Sequence, residues 1–170
     1  KPNNNLDFSL DLKERDVQLA YEAAYNHSRD SLLRFFHHKN PTIRYIAVNA
    51  FATWQDTTAI DSIAPLLKDE DENVRVAAAY SLGQIRSLKA EPYLVSSFIT
   101  FDSLNKFQLF NATVLEALGK CGDQNTLRQI ASVKSYLTSD SLLLIGQARS
   151  IYRFALRDIT LPAGTRVCLN

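Results

Sequence analysis

Residues 71–87 read DENVRVAAAYSLGQIRS, and thirty-one positions upstream residues 40–56 read NPTIRYIAVNAFATWQD, the same residue classes in the same order. Ile43 and Arg44 fall on Val74 and Arg75, Ala47 on Ala78, Phe51 on Leu82 and Trp54 on Ile85. Self-similarity at a period of ~20–50 residues marks a repeat array, in which each unit buries its apolar face only against its neighbours. Such a fold predicts binding before it predicts chemistry.

Working outward from this pair, Asp56-Thr57-Thr58-Ala59-Ile60 and Ile63-Ala64 match Asp123-Gln124-Asn125-Thr126-Leu127 and Ile130-Ala131 at an offset of sixty-seven. That offset leaves room for one copy between, and it is present: Leu118-Gly119-Lys120 lies on Leu82-Gly83-Gln84 and Val114 on Ala78, thirty-six positions on. The third copy is therefore longer than the second, with its insertion placed within Thr100 to Gln108.

Each copy splits into two apolar-periodic segments across a polar turn, the pattern of paired amphipathic helices. The pairs are expected at about 29–54, 58–86, 90–120 and 125–157. First helices are read at Arg29–His38, Thr58–Lys68, Ala90–Ile99 and Asn125–Ser135; second helices at Thr42–Trp54, Asn73–Arg86, Phe107–Lys120 and Ser141–Arg157. Their starts carry capping signals in Asn40 before Pro41, in the acidic run Asp69 to Glu72, and in Ser139-Asp140. Asp11 to Asn26 reads as one more second helix closing the N-terminal end, because Leu12, Val17 and Ala20 fall on Ile43, Val48 and Phe51. The expected fold is all-α, a right-handed α-α superhelix of about four helix pairs plus an N-terminal capping helix, over residues 11–158. A polar segment, 1–10, precedes it, and 159–170 reads as a tail or the truncated start of a further repeat.

The aligned columns separate core from surface. Ile43, Val74 and Phe110 share one apolar column; Val48, Ala79, Leu115 and Ile151 share another, and Phe51, Leu82, Leu118 and Phe154 a third. At helical spacing these aromatics are core rather than a ligand-stacking box. Ala52, Gly83, Gly119 and Ala155 form a column of small residues, which implies close backbone approach between neighbouring helices, since glycine in a helix costs ~1 kcal/mol relative to alanine.

Composition agrees with a packed soluble array. The 170 residues are 46% hydrophobic and 22% charged, with a formal charge of +1 and no block of like charge, so there is no electrostatic footprint for duplex nucleic acid or anionic lipid. No apolar stretch approaches the ~20 residues needed to span a bilayer. Two cysteines, Cys121 and Cys168, give neither a metal pattern nor a disulfide framework. Cys121 shares the core column of Trp54 and Ile85, which makes it buried and inert.

A search for chemistry ends without a site. His27, His37 and His38 have no Cys, Asp or Glu near them at zinc or catalytic spacing. The acidic run Asp69-Glu70-Asp71-Glu72 lacks the alternating ligands and turn glycine of a calcium loop, and negative charge ahead of a helix explains it. No nucleophile elbow, phosphate loop or H-E-x-x-H occurs. The expectation is a non-enzymatic chain with no metal and no cofactor.

Helix pairs of this length with the D/N-x-x-V/I-R-x-x-A-A pattern, at Asp71–Ala79 and Asn40–Val48, resemble HEAT repeats, in particular the short bacterial kind, from about Asp11 to Asp158. The resemblance implies that the turn acid or amide and the early arginine of the second helix form a structural ladder, which carries over to Asn40, Asp71, Arg44 and Arg75. Asn111 and Gln147 stand at the arginine column of the later copies, where the ladder should be weak. The later segments, Glu116 to Asp123 and Gly146 to Asp158, are similar to the HEAT region that precedes a cyclophilin-type peptidyl-prolyl isomerase domain in some bacterial envelope proteins. That resemblance implies an exported parent, a periplasmic or envelope location, and a catalytic domain beyond Asn170.

Second helices of HEAT arrays usually line the concave side. Their outward column here is Gln18, Asn49, Tyr80, Glu116 and Tyr152, flanked by Tyr45, Thr53, Gln84 and Lys120. Tyrosines among amides suit a protein or peptide contact, because tyrosine offers apolar area with a polar tip. The expected partner is a protein or peptide. Nucleic acid is disfavoured because Lys120 is the only base near Glu116, and a DNA-repair protein of the HEAT-like kind would need a basic groove.

Overall fold

The computed structural model describes residues 11–102, 104, 106–133 and 141–161. Among these the chain forms nine α-helices and no strand: α1 (Arg15–Tyr25), α2 (Arg29–Phe35), α3 (Pro41–Trp54), α4 (Ile60–Ile63), α5 (Glu72–Ile85), α6 (Glu91–Ser97), α7 (Gln108–Cys121), α8 (Gln124–Ser132) and α9 (Ser141–Ala155). The segment 1–10, the Ser139-Asp140 cap, the last residues of the fourth first helix and the tail beyond Leu161, Cys168 included, lie outside the described residues.

Helix starts follow from their caps. Asn40 Oδ1 accepts from Thr42 N at 2.9 Å, Asp71 Oδ1 from Asn73 N and Val74 N at 2.8 and 3.3 Å, and Asp123 Oδ1 from Asn125 N and Thr126 N at 2.8 and 2.9 Å. Each satisfies an N–H that has no partner within its helix. The first helices are shorter than the periodicity suggests. In place of one helix over Thr58–Lys68 there is a 3₁₀ turn (Thr57–Ala59), the single turn of α4, and a second 3₁₀ stretch (Ala64–Lys68). Pro65 accounts for the break after Ile63, since it has no N–H for the carbonyl of Asp61 and its ring crowds that carbonyl; the opening 3₁₀ turn recurs one repeat later at Leu88–Ala90.

Two of the long second helices end on residues in the left-handed region, Gln55 at φ 54° and Arg86 at φ 55°, one repeat apart. Gly122 holds the same column in the third repeat but is extended at φ −71°. Its glycine serves close approach instead: an added Cβ would lie 2.8 Å from the Leu118 carbonyl oxygen. Gln55 and Arg86 side chains are exposed, so each bears the cost of the left-handed conformation, ~1–2 kcal/mol, for no packing return. Gln55→Gly and Arg86→Gly should each raise the Tm by about 2 °C, the left-handed relief exceeding the added chain entropy. Thermal denaturation followed by circular dichroism checks this.

The architecture is an α-α solenoid. Second helices stack in series, α1 on α3, α3 on α5, α5 on α7 and α7 on α9, and the first helices cover one side of that row, α2 on α3, α6 on α7 and α8 on α9. The continuous core runs through Phe51, Leu82, Phe110, Leu118 and Phe154, all buried. A smaller cluster of Val17, Ala20, Ile43 and Ile46 seats α1 as the N-terminal cap. Leu12 departs from its expected column: α1 begins only at Arg15, and Leu12 is 61% exposed.

The small-residue column does what its spacing implies in two copies. A Cβ on Gly83 would sit 2.8 Å from the Ala117 Cα, and one on Gly119 would sit 2.6 Å from the Ser150 carbonyl oxygen. Gly146, in the otherwise large apolar column of Ile43, Val74 and Phe110, makes a third such contact, 2.7 Å from the Ala112 Cα. Ala112 and Gly119 lie two turns apart on α7, so α9 lies backbone-close along α7 over that length.

Candidate functional site

The arginine column lies behind the site and fixes the second helices in place. Arg44 donates from Nη1 to the carbonyls of His38 and Lys39, and Arg75 does the same one repeat later to Asp69 and Glu70, at 2.8 and 3.0 Å. Asn111 replaces this clamp by pairing both ways with the Ile99 backbone, and Gln147 by donating to the carbonyls of Ile130 and Val133. The column thus ties each second helix to its own preceding turn in all four repeats.

Among the described residues, Arg44 alone in this column also binds a carboxylate of the next repeat. Its Nε and Nη2 grip the Asp69 carboxylate at 2.8 and 2.7 Å, with both side chains 7% exposed. Burial works against the guanidinium's charge, and Asp69, with Glu70 and Asp71, more than offsets it, so the group titrates above its usual value. The ladder acid is therefore Asp69, not Asp71, because Asp71 uses its Oδ1 on the N-terminus of α5. Asn40 likewise caps α3, while its Nδ2 donates to Glu14 ahead of α1. Arg75 has no carboxylate within ion-pair reach among the described residues; its guanidinium lies over the Phe107 and Phe110 rings, 5.3 and 6.0 Å from their centroids. Further cross-repeat ties run along the first-helix layer, from Arg29 to Asp56 at 3.1 Å, Lys89 to Asp61 at 2.6 Å, and Thr126 to Glu91.

The outward face of the second helices divides in two. Toward the N-terminus it is spent on local structure. Gln18 is exposed but its amide donates to the Leu12 carbonyl at 2.7 Å. Asn49 and Tyr45 are half-buried, and Tyr45 packs against both hydrophobic clusters. Toward the C-terminus the face opens. Tyr80 is 42% and Tyr152 60% exposed. Gln84 Nε2 donates to the Tyr80 hydroxyl at 2.7 Å and so fixes that ring.

Lys120 is buried rather than a free surface base. Its ammonium lies 5.1 Å from the Tyr80 ring centroid and 3.3 Å from Glu116, a cation held between a π face and a carboxylate. Two further cations, absent from the sequence reading of this ridge, reach the same carboxylate from α9: Arg153 at 3.3 Å and Arg149 at 3.5 Å. Their positions on one stripe with Tyr152 were the available signal; an alignment read one column at a time passes over them.

Burial opposes ionisation of Glu116, but Lys120 and Arg153 outweigh it, and its carboxyl titrates below the ordinary 4.5. A depressed carboxyl pKa stabilises the fold fully above the unfolded value, and that contribution is lost as pH falls through the folded one. Glu116→Gln should therefore cost about 1 kcal/mol at neutral pH. The Tm gap to wild type should close as pH drops below the ordinary carboxylate value. A gap constant with pH would show that the carboxylate charge contributes nothing.

Elsewhere the titratable groups are occupied or inert. His27 stacks on Trp54 at 4.7 Å between centroids, and His38 accepts from Asn40 N through Nδ1 at 3.0 Å. Cys121 is 1% exposed, and burial, aided by the Glu91 charge, pushes its thiol up to about 12. Among the described residues no group of three or more His, Cys, Asp or Glu side chains is placed to hold a metal ion, and no helix is long and apolar enough to cross a membrane.

Residues 30–104 match the family model described as HEAT repeats. A stretch of 89 residues is 35% identical to a deoxyhypusine hydroxylase of Debaryomyces hansenii, and covers 52% of this chain and 27% of that protein. The chain thus aligns with about a quarter of the curated relative's length.

Proposed function

We propose that this chain is a protein-binding repeat module without a reaction of its own, and that a partner sits on the second-helix face between α5 and α9. The observation that carries this reading is the pair of exposed tyrosines, Tyr80 and Tyr152, set beside a fixed polar network. Exposed tyrosine on a rigid helix loses little conformational freedom on binding and gives both apolar area and a hydrogen bond, the properties of interface anchors. Tyr80→Ala with Tyr152→Ala should weaken capture of the chain's cross-linked partners by at least about tenfold, at unchanged helicity. Unaltered capture of every partner would remove this face from consideration.

The similarity to a deoxyhypusine hydroxylase favours a second reading, in which the repeats belong to an enzyme that hydroxylates deoxyhypusine. Packing alone imposes common columns on repeat arrays, so a partial match of this kind supports shared architecture more than shared reaction. Incubating the purified chain with a deoxyhypusine-bearing protein and reading product by mass spectrometry decides between the two. The narrower accessory version, in which the repeats position a peptidyl-prolyl isomerase domain in a bacterial envelope protein, rests on the resemblance of Glu116–Asp123 and Gly146–Asp158 alone.

A further inference from the structure

Ile145, Arg149 and Tyr152 on α9 and Leu156 in the turn that follows fall at i, i+4, i+7 and i+11, a single helical stripe. They are 47%, 65%, 60% and 58% exposed, so the stripe faces solvent along its whole length. Its chemistry is apolar at both ends and basic in the middle, and α9 carries two arginines and no acid.

Among the described residues the basic centre is not neutralised. Three cations, Lys120, Arg149 and Arg153, converge on the one carboxylate of Glu116, which leaves a formal excess of two positive charges. Each guanidinium has five N–H donors in a rigid fork, and among the described residues Arg149 and Arg153 each bond this carboxylate through one nitrogen. Arg149 and Arg153 remain 65% and 41% exposed, so the other donors face water. Both groups touch the same carboxylate, so they are close enough together for a second, incoming carboxylate to sit between them or be gripped bidentately by either one.

Resting on the protein-binding reading, we propose that the α9 stripe docks an acidic amphipathic segment of a partner protein: carboxylates meet Arg149 and Arg153, and apolar side chains meet Ile145, Tyr152 and Leu156. Charge complementarity selects this occupant. A nucleic acid needs a track of cations following successive phosphates, whereas beyond α7 and α9 this face offers tyrosine and amides. An anionic membrane needs a broader apolar face flanked by many bases, and α9 supplies two.

The probe is a synthetic amphipathic helical peptide with glutamates on one stripe and leucines on the next, fluorescently labelled and read by anisotropy. Companion peptides carry glutamine or lysine in place of glutamate. The glutamate peptide should bind about tenfold more tightly than the glutamine one. Arg149→Glu with Arg153→Glu should abolish that preference and bind the lysine peptide instead, a rescue that mere misfolding cannot produce. Equal affinity for the glutamate and glutamine peptides, or a preference of the wild-type chain for phosphatidylserine vesicles or single-stranded DNA over the glutamate peptide, overturns the proposal. If the double arginine variant still captures partners that the Tyr80 and Tyr152 variant loses, the acidic specificity fails while the protein-binding reading stands.

Discussion

Gly119→Leu should lower the stability of this chain by about 3 kcal/mol and its Tm by roughly 6–12 °C. A Cβ at position 119 meets the Ser150 carbonyl oxygen at 2.6 Å and Ser150 Cα at 2.7 Å, both backbone atoms that no rotamer change can move. Alanine already demands that α9 retreat from α7, against a helix-propensity gain of only ~1 kcal/mol; leucine adds three more carbons at the same point. Repeat arrays are stabilised by nearest-neighbour interfaces, so the damage should be local. Hydrogen exchange should show α8 and α9 losing protection while α3 and α5 keep theirs. Uniform loss along the chain would mean that the solenoid unfolds as one cooperative unit, and an unchanged Tm would refute the close approach itself.

That contact was legible because it recurs: Gly83 and Gly119 stand in one column, and repetition turns a single glycine into a pattern. Gly146 makes the same kind of contact on Ala112 but stands in the column of Ile43, Val74 and Phe110, where a glycine reads as an exception. The helix pairs were legible for the same reason of recurrence, while the broken first helix at 57–68 depends on one proline inside an otherwise good periodic pattern. The choice of ladder acid was beyond the sequence. Asp69 and Asp71 flank the same turn two residues apart, and only the path of that turn decides which one meets Arg44 and which caps α5. The candidate face was half legible. Tyr80 and Tyr152 are exposed as their column suggests, but Tyr45 is half-buried against the core, and two of the three partners of Glu116, Arg149 and Arg153, come from a neighbouring helix that stands outside the column.

The Arg44–Asp69 pair gives the second large effect, and Arg75 supplies its internal control. Removing one partner of a buried ion pair leaves an uncompensated charge, at a cost of ~3–5 kcal/mol. Asp69→Asn keeps the Oδ1 that accepts from Asp71 N at 2.9 Å, but removes the charge opposite Arg44 and puts an amide donor where Oδ2 accepts from Arg44 Nε, so its cost should approach ~3 kcal/mol. Arg44→Met should cost as much, since it strands Asp69 and also releases the carbonyls of His38 and Lys39. The double variant should cost about 2 kcal/mol less than the sum of the two, the coupling of a directly bonded pair. Arg75→Met loses two carbonyl contacts and the contact with Phe107 and Phe110, but no acid is stranded, and its buried Nε has no partner among the described residues to lose. Its expected cost is about 1 kcal/mol. Urea denaturation of the four variants measures all of these together. If Arg75→Met costs as much as Arg44→Met, or if the Arg44 and Asp69 variants are additive, then the arginine column stabilises the chain through its clamp on the turn carbonyls within each repeat, and the ion pair between the first two repeats contributes nothing.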